Sequence, residues 1–251
     1  MMDEQFAEGD SLLHKRDPKA KIIASAIFIT AAALTRSSTA AAMFLAFAAI
    51  LCALTGLPLR PILKRLLAVN SFTFFLWITL PPTYGGNEFI TLGPLSLSVE
   101  GIRLAALITL KTNAVVLAII ALLGTSRIAN TGHALETLHL PQGLCFIMLF
   151  SYRYIFVIYQ EYQRLVRAAR LRCFKPATNI HTYRTFGYLF GMTLVKSWNR
   201  ASRVHQAMIL RGFDGHLIPL SQDRYRRSDT LFLLVILTLT LSIALVGFQY
   251  P

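Results

Sequence analysis

At 251 residues with 55% hydrophobic side chains and a positive mean hydropathy, the chain carries more apolar sequence than one soluble core of this size can bury, so several stretches must face lipid. Twenty-five Lys and Arg stand against twelve Asp and Glu, a net charge of +13. Three widely spaced cysteines, Cys52, Cys145 and Cys173, form neither a CxxC metal pair nor an even set for a disulfide framework.

The first residues include Asp3, Glu4, Glu8 and Asp10, the reverse of a signal peptide's basic start, so insertion is expected to use the internal apolar segments. Asp17-Pro18 supplies an N-cap and a first-turn proline, predicting a helix from Pro18 through the apolar run Ile22 to Leu34. Thr39 to Leu57 is long enough to cross roughly 30 Å of hydrocarbon and ends at Gly56 and Pro58. After Arg60, Lys64 and Arg65 comes a third span, Leu66 to Leu80, closed by Pro81-Pro82. Leu95, Leu97 and Val99 alternate with Ser96 and Ser98 behind a Gly93-Pro94 turn, predicting a small hairpin outside the membrane. The fourth span is Gly101 to Gly124.

Between Arg153 and Arg227 fourteen basic side chains face only Glu161, Asp214 and Asp223, a local net of +11. Nucleic acid, anionic lipid or an acidic protein can bind such a block, nucleic acid being the weakest reading here. In a membrane protein it first fixes the cytoplasmic side. With a cytoplasmic amino terminus, four spans return the chain inside at Ser126, and a fifth over Leu144 to Tyr159 would put the basic block outside. Gln142 to Arg172 is therefore expected to be a long helix lying along or beneath the membrane. A second such helix is expected from about Tyr183 to Arg211, with Phe186, Phe190, Leu194 and Trp198 on one face. Gly187 and Gly191, four apart, are expected to let another helix cross closely. Thr230 to Phe248 is the last uncharged run and the fifth span.

The expected fold is thus an all-α membrane protein with about five transmembrane helices and two long crossed amphipathic cytoplasmic helices. Its expected divisions are 1–125 with four spans, 126–229 as the basic cytoplasmic region, and 230–251 as the final span.

No carboxylate falls inside a proposed span, which removes the usual proton relay, a carboxylate metal cage and the paired aspartates of an intramembrane transferase. His14, His133, His139, His181, His205 and His216 are scattered without HExxH or CxxC company, so no metal ligands are assigned. Near Lys196-Ser197, Phe190 and Val195 occupy the places where a phosphate-binding loop needs glycine. Catalytic residues are not assigned, and any ATP is expected on a partner. Lys111 and Asn113, midway along the fourth span, read equally as part of a functional groove or as structural hydrogen-bonding groups.

The sharpest feature is a pair of helix endings. The first long helix ends Ala169-Arg170-Leu171-Arg172-Cys173-Phe174, the second Leu210-Arg211-Gly212-Phe213-Asp214. Arginine in a last turn complements the helix dipole and Gly212 suits a C-cap. The same arginines, exposed at helix tips, are also suited to bidentate pairing with carboxylates or carbonyls of a docked protein. The two readings are compatible.

At these residues the chain resembles the transmembrane coupling (T) components of energy-coupling factor importers, and most closely the cobalt-type CbiQ branch. The resemblance extends to Gly9-Asp10-Ser11-Leu12-Leu13-His14, Asp17-Pro18-Lys19-Ala20-Lys21 and Tyr152-Arg153-Tyr154. It implies a non-catalytic coupling subunit in the bacterial inner membrane, with its amino terminus cytoplasmic. It further implies docking of two copies of a CbiO-like ABC-type ATPase at Arg172 and Arg211, with Ala169, Arg170, Gly212 and Phe213 beside them. ATP and Mg belong to those partners, and no cofactor to this chain. A CbiM-like substrate-binding membrane subunit, with or without a small CbiN-like one, would carry the substrate, cobalt by resemblance. The rival class is a self-sufficient secondary carrier or an intramembrane enzyme. Cys173 stands where the family's first motif has glycine. A left-handed turn there would be strained, so the chain is expected to leave that helix differently.

Overall fold

The computed structural model describes residues 9, 11, 13–83, 88–92, 95–138, 140–215 and 227–249. Asp3, Glu4, Glu8, Asp10, Leu12, Gly93, Pro94, His139, His216, Asp223, Arg224 and Arg226 lie outside these. The chain divides into two compact units, one of Met2–Ala134 with Asp223–Pro251, the other of Leu135–Gln222.

The first unit is built from α1 (Pro18–Leu34), α2 (Ser38–Leu54), α3 (Leu59–Thr83), α4 (Val99–Leu122) and α8 (Arg227–Gln249). α1 starts where Asp17-Pro18 places it. The Asp17 carboxylate accepts from the Lys19 amide at 2.8 Å, and Pro18 occupies the first turn. α2 leaves through Thr55 and Gly56, the latter at φ 64°. α3 differs from the expected Leu66–Leu80 at both ends. It starts at Leu59 because Pro61 falls in the first turn, where its missing N–H is an orphan anyway, and it carries Pro81 and Pro82 in its last turn. The expected hairpin forms from β1 (Glu88–Leu92) and β2 (Leu95–Ser98), antiparallel with Leu92 opposite Leu95. Ser98 then caps α4, its hydroxyl accepting from the Gly101 amide at 3.3 Å.

Alanine at helical spacing makes this bundle close. Ala20, Ala24, Phe28 and Ala32 of α1 are at most 1% exposed, as are Ala40, Ala41, Phe44 and Ala48 of α2 and Ala114, Ala118 and Ala121 of α4. Small side chains let backbones approach where lipid supplies no hydrophobic drive between helices. The Phe28 ring fills the remaining space edge-on to Phe44, with centroids 5.3 Å apart.

α4 meets α3 at Gly101, where a Cβ would stand 2.9 Å from both the Leu80 carbonyl oxygen and the Pro81 Cα. These are backbone atoms and cannot swing away. Gly101→Ala should therefore lower the melting temperature of the detergent-solubilised protein, although Ala is the better helix former by about 1 kcal/mol. Gly143→Ala, which meets no atom within 4 Å, should not lower it.

Polar groups in the unit are matched across helices. Lys21, 1% exposed, donates to the Thr125 and Ser126 hydroxyls at 3.2 and 3.0 Å. Arg16 pairs with Asp229 at 3.4 Å, joining the segment before α1 to α8.

Four described helices are long and apolar enough to cross a membrane: Leu59–Thr83, Val99–Leu122, Gln142–Leu171 and Arg227–Phe248, with Ser38–Leu54 a shorter apolar helix. The protein is thus an all-α, multi-pass helical bundle. α1 and α2, of 17 residues each, reach only about 26 Å at about 1.5 Å per residue. Gln142–Leu171 meets the length and composition criteria although the charge argument set it aside.

Next in the chain comes α5 (Ile128–Thr137), a ten-residue helix that the sequence reading did not separate. The second unit is formed by α6 (Gln142–Leu171) and α7 (Ile180–Leu210).

Candidate functional site

α6 and α7 have 30 and 31 residues, about 45 Å each at about 1.5 Å per residue. Residues 172–179 join them into an antiparallel pair. The link closes on itself: Asn179 caps α7, its side chain accepting from the Thr182 amide at 2.9 Å, while the Thr182 hydroxyl accepts from the Ala177 amide at 3.1 Å.

Both helices end in the same way. In α6 the Phe174 amide donates to the Ala169 carbonyl at 3.1 Å and the Cys173 amide to the Arg170 carbonyl at 3.0 Å. In α7 the Phe213 amide donates to Met208 at 3.0 Å and the Gly212 amide to Ile209 at 2.9 Å. Each is a complete Schellman motif. The C-cap is Arg172 in one and Arg211 in the other. The residue after it is left-handed in both, Cys173 at φ 63° and Gly212 at φ 79°.

The expectation that Cys173 sends the chain out differently is thus corrected. The two paired amide bonds hold a non-glycine residue in the left-handed region at a cost of about 1–2 kcal/mol. Cys173→Gly should stabilise the tip by about 1 kcal/mol, read as slower amide hydrogen exchange at residues 169–174, with no loss of function.

The motif places like residues alike. Arg172 and Arg211 are exposed, each preceded by a leucine that is also exposed, Leu171 at 86% and Leu210 at 88%. The following phenylalanine is only partly buried, and it turns back onto the other helix. Phe174 meets Phe186 of α7 edge-on at 5.7 Å, and Phe213 meets Phe146 of α6 at 5.6 Å. One tip therefore lies beside the start of α7 and the other beside the start of α6. The two arginines stand at opposite ends of the hairpin. Arg170 is exposed and Ala169 half-buried, flanking the first tip.

The crossing lies elsewhere than the glycines predict. Gly187 and Gly191 are exposed, and a Cβ on either would meet nothing within 4 Å. The helices touch through larger side chains instead. Tyr162 stacks on Phe190 at 4.9 Å, and Lys196 pairs with Glu161 at 2.6 Å. Away from this point the helices stand apart around two grooves. One, of about 830 Å³, is lined by apolar side chains including Phe150, Ile158, Trp198 and Met208. The other, of about 960 Å³, reaches Arg172 and Cys173. The Glu161–Lys196 pair was not singled out from the sequence. Its signal was one carboxylate within a strongly basic helix.

Lys111 and Asn113 belong to the other unit. Lys111 donates to the Ala33 carbonyl in the last turn of α1 at 2.9 Å, and Asn113 donates to Asn70 of α3 at 3.0 Å. Each of these bonds closes a contact between helices of the bundle. Among the described residues no group of three or more His, Cys, Asp or Glu could hold a metal ion.

One hairpin of this multi-pass helical membrane protein thus carries two matching arginine-capped tips. The chain belongs to the CbiQ family, described as cobalt transport protein, which matches residues 9–220, and so to the transmembrane components of energy-coupling factor transporters. It is similar to the energy-coupling factor transporter transmembrane protein EcfT of Brevibacillus brevis, 26% identical over 224 residues that cover 84% of each chain. An uncharacterized Methanocaldococcus jannaschii protein, MJ1571, is 23% identical over 245 residues, 94% of this chain and 83% of that one. The nickel permease LarQ of Lactiplantibacillus plantarum is 32% identical over 99 residues, 39% of this chain and 36% of that one.

Proposed function

We propose that this chain is the coupling subunit of an ATP-driven metal importer, in which two ABC-type ATPases grip the α6–α7 hairpin at its opposite ends. The observation that carries the reading is the repeated ending: an exposed arginine C-cap, an exposed leucine before it and a left-handed exit after it, at both tips. A guanidinium fixed by its helix end is pre-organised for a bidentate bond to a carboxylate or carbonyl, and the adjacent leucine supplies apolar area. Opposite placement gives each ATPase its own tip. ATP and Mg belong to the ATPases.

Closing and opening of the ATPases then turns the two helices against one another, and the motion passes to a separate CbiM-like membrane subunit that binds the substrate, with or without a CbiN-like one. The family description and the partial likeness to a nickel permease support a divalent transition metal, Co2+ first. The basic hairpin on the cytoplasmic side, the amino terminus with it, agrees with the charge rule for membrane proteins. In this arrangement α6 lies along the membrane surface and is not one of the spans.

Proteoliposomes separate this from a self-sufficient carrier. Liposomes holding the full complex should accumulate Co2+ only with ATP inside the compartment that the ATPases face, and liposomes holding this chain alone should accumulate none. ATP-independent accumulation by the chain alone would overturn the reading.

A further inference from the structure

We infer that the Glu161–Lys196 ion pair, seated on the Tyr162–Phe190 stack, is the pivot about which α6 and α7 turn, and that it sets how much of a displacement at one tip reaches the other. The inference rests on the coupling reading above and assigns to it two positioning residues.

Among the described residues the helices are tied at three levels. At the ends are the terminal phenylalanines, Phe174 on Phe186 and His181 and Phe213 on Phe146, and each moves with a tip. The third level is central. Glu161 lies twenty residues into α6 and Lys196 seventeen into α7, and their 2.6 Å ion pair bridges the two helices. The Glu161 side chain is only 15% exposed while Lys196 keeps 41%, so the carboxylate is held under the lysine and partly shielded from water. Arg164 lies 3.5 Å from Glu161 on the same helix, but it is 66% exposed and cannot bridge. Beside it Tyr162, the residue after Glu161, and Phe190, six residues before Lys196, stack with their rings 15° from parallel, a flat contact that permits rotation in its plane while resisting separation.

On either side the two grooves leave room for the arms to close or spread. A pair of rigid helices tied at its centre, with grooves on either side and end contacts that travel with the tips, works as a lever, provided the central contact does not slide. A short charge-assisted bond across the contact supplies the restraint. Without it the helices can shift along one another, and movement at Arg172 is absorbed before it reaches the arm ending at Arg211.

The test uses the complete complex with its ATPases. In a Cys173→Gly background, spin labels at Ser151→Cys and Ser202→Cys, both exposed, report the separation of the arms across the apolar groove, with and without ATP–Mg. The intact pair should show an ATP-dependent change in that distance. Glu161→Gln and Lys196→Met should retain ATPase capture and hydrolysis to within about twofold yet lose more than half of the change, and the swap Glu161→Lys with Lys196→Glu should restore it. A structural role alone would lower the thermal midpoint and leave the ATP-dependent change in distance intact in the complexes that form. Single variants that keep the full change would overturn the pivot, as would an intact complex that holds its ATPases and shows no change. If the intact chain holds no ATPase, the coupling reading itself fails and the pivot falls with it.

Discussion

Charge reversal at either helix tip, Arg172→Glu or Arg211→Glu, is expected to cost the chain one of its two ATPases, and both reversals together should abolish capture. A hydrogen bond to a charged group is worth about 1.5–3 kcal/mol, and each tip offers a bidentate fork. Loss of the fork alone weakens docking by about tenfold to a hundredfold, and placing a carboxylate against an acceptor adds repulsion. Both arginines are exposed C-caps, so their replacement leaves the packed faces of α6 and α7 untouched. The reversal also puts a negative charge at the negative end of a helix, which costs about 0.3–1 kcal/mol. That is small beside the docking loss, and circular dichroism should show the helices retained. Capture assays with each variant after co-expression check the stepwise loss. The tips act separately because they stand at opposite ends of the hairpin, and a single reversal should therefore leave one ATPase bound.

The second large effect lies in the bundle. Phe28→Ala should destabilise the first unit by about 3–5 kcal/mol, read as a fall in the thermal midpoint of the detergent-solubilised protein. Phe28 is fully buried and packs on Phe44 at 5.3 Å and Phe47 at 5.9 Å. Ala24 and Ala32, one turn to either side of it on α1 and each 1% exposed, have no rotamers with which to fill the cavity. Since lipid tails solvate a phenyl ring as well as the bundle does, the loss is chiefly one of packing. Phe72, 72% exposed on α3, should tolerate the same change in the same assay.

Much of this was legible in the sequence because it is local. Asp17-Pro18 announces α1, the alternation of Leu95, Leu97 and Val99 with serines announces the hairpin, and the recurrence of Phe186, Phe190 and Leu194 every four residues announces α7. The tips were visible too, since a Schellman ending is written in six consecutive residues. What local pattern misdirected was conformation that neighbours enforce: Cys173 takes the left-handed turn because its own amide and that of Phe174 are bonded back onto the helix end. Proline likewise ended α3 too early in the sequence reading, because a last-turn proline forfeits few bonds.

Pairing across the chain had no local mark. Lys21 meets Thr125 and Ser126 a hundred residues on, and Glu161 meets Lys196 across the hairpin. Gly187 and Gly191 illustrate the converse. Their spacing fits a close crossing, yet the bulk of Tyr162, Phe190 and the ion pair sets the contact point elsewhere.

The measurement that bears most directly on the account is the stoichiometry of the detergent-purified complex, by native mass spectrometry after co-expression of this chain with ABC-type ATPases. Two ATPases per chain, falling to one in Arg211→Glu or Arg172→Glu and to none in the double variant, is the predicted result. A chain that holds no ATPase, or that keeps both through the double reversal, would contradict it and reduce the two arginines to helix caps.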